Sequence, residues 1–126
     1  MNRFTLGILL LLFFVACNPE DRSGEQPFAP TVRTLTAVVE DGQCLLTGCI
    51  DASPNSRVLK RGFRCGNDTL RLDILSEDEV DMFHAYVEGL LPGEYFAVAY
   101  ATNGVGTSLG DTLFFFIPKQ EEMQVE

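Results

Sequence analysis

The sequence predicts an all-β chain folded as a two-sheet sandwich of about seven strands. Apolar residues recur in short runs of about four to eight residues, with no sustained helical period. Turn residues break the runs at intervals of about 8–12 residues, the spacing of small sandwiches. The total length of 126 residues suits a single domain.

Taken in order, the predicted strands are Val32–Val38, Cys44–Ile50, Val58–Cys65, Thr69–Leu75, Met82–Glu88, Tyr95–Thr102 and Thr112–Ile117. Asp41-Gly42 separates the first two, and Ser53-Pro54-Asn55 the next pair. Gly66-Asn67-Asp68, Pro92-Gly93 and Asn103-Gly104 punctuate the later ones. Around Ser76–Val87 a helix competes, because Ser76 with Glu79 mimics a capping box. Phe83, Ala85 and Val87 nevertheless alternate with His84, Tyr86 and Glu88, which favours a strand.

Outside this domain, residues 1–16 read as an export signal. Arg3 precedes an apolar run from Phe4 to Ala16, too short for the roughly 20 apolar residues of a membrane-spanning helix. Phe14-Val15-Ala16-Cys17 resembles the lipobox of bacterial lipoproteins, with Phe14 in place of the usual Leu. The resemblance implies that Cys17 is acylated (palmitate among its chains) and becomes the first residue of the mature protein. Several acyl chains make a firm anchor, since one alone binds only marginally. Residues 17–30 then form the acylated cysteine and a Pro-rich tether. Glu20-Asp21 looks like the surface-export signal of Bacteroidetes lipoproteins. The expected location is the cell envelope, lipid-anchored to the outer membrane on its surface or periplasmic face. Residues 119–126 are a short charged tail.

Within 31–118, Ala99-Tyr100-Ala101-Thr102-Asn103-Gly104-Val105-Gly106-Thr107-Ser108-Leu109-Gly110 resembles the F strand, turn and G strand of fibronectin type III-like domains of Bacteroidetes surface proteins. Gly89-Leu90-Leu91-Pro92-Gly93-Glu94-Tyr95 resembles the turn before their F strand, one residue shorter than in many relatives. Arg61-Gly62-Phe63 and the turn at Gly66 resemble their C strand. The resemblance implies an immunoglobulin-like sandwich and a tyrosine-corner bond from Tyr95. It also implies a core of Cys44, Leu46, Gly48, Ile50, Phe63, Cys65, Phe83, Ala85, Val87, Tyr95, Ala97, Ala99, Ala101, Leu113, Phe115 and Ile117.

With that core, Phe96, Val98, Tyr100, Phe114 and Phe116 point outward as one apolar-aromatic patch bordered by Lys60, Gly62 and Arg64. So large an exposed patch marks a contact surface in most soluble proteins. Cys44 opens one strand and Cys65 closes the next, so the two either form an inter-sheet disulfide or remain buried thiols. Cys49 faces outward as the odd thiol. Asp68-Thr69-Leu70 and Asp111-Thr112-Leu113 resemble the O-glycosylation signal of Bacteroidetes exported proteins, which makes Thr69 and Thr112 candidate acceptors.

Evidence for catalysis is thin. Gly106-Thr107-Ser108-Leu109-Gly110 matches the Gly-x-Ser-x-Gly hydrolase pattern, but that pattern needs a strand-to-helix elbow and a later histidine. His84 is the sole histidine and precedes Ser108, so the segment reads as a hairpin turn. Asp73, Glu77, Asp78, Glu79 and Asp81 read as a solvated acidic loop rather than a calcium site. Zinc is not expected, for want of a close cysteine pair or a second histidine. A charge of −9 from 18 acidic and 9 basic residues disfavours nucleic acid as partner. The expectation is a non-catalytic binding or adhesion module without cofactor, contacting a protein or glycan. The alternative is an accessory subunit of a larger envelope complex, docked through the same sheet face.

Overall fold

The computed structural model describes residues 26–119. The expected signal peptide, acylated Cys17 and most of the tether lie outside these residues, as does the tail after Lys119. Seven strands form two antiparallel sheets that face each other. They are β1 (Thr31–Glu40), β2 (Gln43–Ala52), β3 (Lys60–Gly66), β4 (Arg71–Leu75), β5 (Met82–Val87), β6 (Gly93–Thr102) and β7 (Thr107–Ile117). One sheet has the order β1-β2-β5 and the other β4-β3-β6-β7. No helix occurs among the described residues, so the capping-box signal at Ser76 loses to the alternation in β5.

Turn chemistry sets the first hairpin. Asp41 and Gly42 both have positive φ (54° and 79°), the two-residue turn whose twist matches its strands. That turn pairs Glu40 with Gln43 and so fixes which β2 residues face inward. Cys44, Leu46, Gly48 and Ile50 are all buried in consequence. Phe63 and Phe83 meet across the two sheets with ring centroids 5.2 Å apart. The Phe83 ring lies against Gly48, where any Cβ would sit 2.8 Å from it and 2.9 Å from the Cβ of Ala99. Small residues on β2 and β6 thus make room for the phenylalanines of β3 and β5. All the expected core residues are buried except Leu113, which is half-exposed.

Where the two sheets approach along β1 and β7, both strands are irregular. β1 slips register between Thr34 and Thr36, and the β6–β7 ladder slips between Val98 and Tyr100. Ala99 therefore has no partner of its own on β7. Its N–H is satisfied by the Thr34 hydroxyl of the other sheet at 2.8 Å. Gly110 permits that approach, because a Cβ there would sit 2.8 Å from Thr34 N and Oγ1.

β7 also corrects the reading of residues 106–110. The turn is Asn103–Gly106, and Thr107–Gly110 already belongs to the strand, with Ser108 opposite Ala101. Asn103 explains why the turn is so tight. Its Oδ1 accepts from the N–H groups of Val105 (2.8 Å) and Gly106 (3.2 Å). Its Nδ2 donates to Phe28 O (2.7 Å) and Ser53 Oγ (2.9 Å). Phe28 N–H in turn donates to Pro54 O (3.2 Å), so chain packing begins before Thr31. The incoming segment is thereby fastened to the sandwich end formed by the β2–β3 and β6–β7 connections.

Candidate functional site

The outer face of the four-stranded sheet is best described in rows across its strands. Strand register sets Arg71, Gly66, Phe96 and Phe114 in one row, and Asp73, Arg64, Val98 and Thr112 in the next. Leu75, Gly62, Tyr100 and Leu109 form the third. Lys60, Thr102 and Thr107 form the fourth. Two of these rows contain a glycine of β3, where the Ile74 and Leu70 carbonyls leave no room for a Cβ at Gly62 and Gly66 respectively, so that each row dips to a groove on the outer face.

At Gly62 the groove is filled. The hydroxyl of Tyr100 on β6 donates to Asp73 Oδ1 on β4 at 2.7 Å, so its ring must cross β3. Lys60 and Arg64, two residues either side of Gly62, place their cations 5.9 and 5.4 Å from the ring centroid. Tyr100 is left only 1% exposed. Here the sequence expectation needs correction: Tyr100 does point to the outer face, but lies beneath its neighbours and is not part of the bare patch. Burial, and then the bond to Asp73, push its phenol up to about 12.

At Gly66 the groove stays open. Arg71 places its guanidinium 5.3 Å from the Phe96 ring centroid and donates to Asn67 O at 2.7 Å. Phe114 stands on the other side of Phe96 and is 75% exposed. The result is a cleft of about 500 Å³, with Asn67, Asp68, Thr69 and Glu94 at its edge. The β3–β4 turn forming one wall is held by Asn67 Oδ1, which accepts from Thr69 N, Leu70 N and Thr69 Oγ1 at 2.9, 2.9 and 3.2 Å. Tyr95 supports the floor: its hydroxyl donates to Leu91 O at 2.5 Å, the bond of a tyrosine corner.

Of the expected patch, Phe96 and Val98 are half-buried, while Phe114 and Phe116 stand out into solvent. Lys60 and Arg64 border it as expected, through their stacking on Tyr100. Sequence reasoning missed Arg71, Asn67 and Glu94. The signal for Arg71 lay in the hairpin turn at Gly66, which sets Arg71 directly opposite that glycine. Both candidate acceptor threonines are exposed, Thr69 on the cleft's edge and Thr112 beside Val98.

Elsewhere the acidic loop is tied to the fold. Asp78 Oδ2 accepts from the His84 ring (3.1 Å) and the His84 N–H (2.8 Å), and these bonds hold its carboxyl below the usual range. Arg61 donates to the Val80 carbonyl. Among the described residues, no group of three or more His, Cys, Asp or Glu is placed to hold a metal ion. Cys44 and Cys65 are free, buried thiols rather than the disulfide that was one of the two expectations, and burial pushes both up to about 11. Cys49 is half-exposed, with Sγ 3.8 Å from both Arg33 Nη2 and Asp51 Oδ1.

Compared with family models, with curated proteins and with solved structures, the chain matches none.

Proposed function

We propose that the protein is a membrane-anchored, non-catalytic binding module of the bacterial cell envelope that contacts a protein or glycan through the outer face of β6 and β7. One observation carries the reading: Phe114 and Phe116 are 75% and 57% exposed beside the half-buried Phe96 and Val98, on a regular sheet face. Leaving such rings in water forgoes about 1.5–3 kcal/mol of burial apiece, a cost that a contact surface recovers on binding. The lipobox resemblance at Cys17 supports the anchor. The place of Ser108 within β7, without an elbow or a histidine beside it, supports a non-catalytic reading.

The test is capture of envelope components by the full chain from cells bearing its Phe114→Ser/Phe116→Ser variant or the parent. Loss of specific capture in the variant is expected, with the fold intact because both rings are solvent-facing. Unchanged capture would contradict the reading. If what is captured is one stoichiometric multi-subunit assembly, the protein is an accessory subunit of that assembly, docked by the same face.

A further inference from the structure

Cations are unevenly distributed over this acidic chain. Of the basic residues in the described part, Arg57, Lys60, Arg61, Arg64 and Arg71 all fall on β3, β4 or the segment leading into them. Lys60, Arg64 and Arg71 share the outer face of the four-stranded sheet and are exposed. None of the three has a carboxylate within ion-pairing distance among the described residues, where Arg33–Asp51 is the Arg–carboxylate pair formed. Each instead lies against an aromatic ring, Lys60 and Arg64 on Tyr100 and Arg71 on Phe96. In a protein of net charge −9, three cations that form no ion pair among the described residues and are held in place on one face concentrate positive charge there, beside Asp68, Asp73 and Glu94.

We infer that this face binds an acidic polysaccharide, with a sugar ring laid on Phe114 and ring carboxylates paired with Arg71 and Arg64. This deepens the proposed contact face by naming its ligand class. A uronic acid presents a rigid apolar C–H face and a carboxylate at its edge. The open cleft offers the same two features side by side: the exposed Phe114 ring, and the exposed Arg71, whose guanidinium lies against Phe96 and spends one donor on Asn67 O. Its volume of about 500 Å³ falls within the range of small-ligand sites. Arg64 stands one row along the sheet from Arg71, and Lys60 follows on the other side of Tyr100, with both cations held against that one ring. The cations thus extend from the cleft as a track for a chain, not a pocket for one ion. Asp68 and Glu94 at the edge are placed to accept from sugar hydroxyls, and Asp73 is occupied by Tyr100. An acidic peptide would satisfy the cations but has no rigid ring for Phe114, and pays rotamer entropy to order its carboxylates.

The test uses the full chain in detergent micelles and a fluorescently labelled oligogalacturonate, read by anisotropy. Direct binding is expected, with unlabelled oligogalacturonate displacing the probe and a neutral galacto-oligosaccharide or polyglutamate failing to do so. Arg71→Gln and Phe114→Ala should each weaken binding about tenfold, the loss of one charge-assisted bond or one stacked ring. Arg33→Gln, on the other sheet, should leave binding unchanged. Phe114→Ala keeps the result interpretable, since so exposed a side chain is not needed for folding. Absence of binding, equal displacement by polyglutamate or by the neutral sugar, or an inert Phe114→Ala would each overturn the inference. If oligogalacturonate fails while capture from cells still depends on Phe114 and Phe116, the contact face stands and the acidic sugar does not.

Discussion

Tyr100 shows how a single side chain can be outward-facing and yet structural. Alternation along β6 correctly assigns it to the outer face, but alternation says nothing about what lies across the neighbouring strand. A glycine at position 62 opens the path, and Asp73 receives the hydroxyl. Tyr100→Phe should cost about 1 kcal/mol in denaturant unfolding, the net worth of one such bond. Its phenol, pushed up to about 12, should ionise above the ordinary tyrosine range in an ultraviolet titration, a step that Tyr100→Phe removes. Because the folded value is raised, this contribution to stability is complete below the ordinary tyrosine value of about 10. It is lost as pH rises through the folded value. The cysteines divide in a similar way. Cys49 should react first with a thiol reagent under native conditions, while Cys44 and Cys65 should react only on unfolding, since burial holds both as thiols. Equal labelling rates for the three would contradict their placement.

Among the elements, the β1–β7 corner carries the most specific demand. Ala99 is completely buried, and its N–H depends on the Thr34 hydroxyl. Thr34→Val keeps the shape but removes the acceptor, so it should destabilise the fold by about 1–3 kcal/mol in urea unfolding. Thr34→Ser should restore most of the loss. Much of the strand plan was legible because each strand alternates cleanly and each turn has its own residue chemistry. Asp41-Gly42 and Asn103-Gly104 set ladders that carry the core assignments of β2 and β6 with them. The bulge at Gly110 was not legible, because it answers to Thr34, more than seventy residues earlier in the chain, and the start of β7 at Thr107 was missed because Asn103 closes the turn within Asn103–Gly106. The cleft was half legible for the same reason. Phe96 and Phe114 follow from strand phase, whereas Arg71 reaches Phe96 only across a glycine of the strand between them.

On the scale of the whole molecule, entry point and cleft lie at opposite ends. Phe28 is fastened to Pro54 and Asn103, beside the β6–β7 turn. The cleft lies by Phe96 and Gly66, about 20 Å away along β6 at the rise of an extended strand. With Cys17 anchored as proposed, the tether joins the sandwich at the end opposite the cleft. That arrangement suits a module whose ligand arrives from beyond the membrane. Contact is proposed at this face and not at the opposite sheet. Site-specific photo-crosslinking in intact cells tests it most directly, with the photoreactive residue placed in turn at Phe114 and at Val38, which is exposed on β1. Adducts from position 114 with none from position 38 are the predicted result. Adducts from both alike, from position 38 alone, or from neither would contradict it.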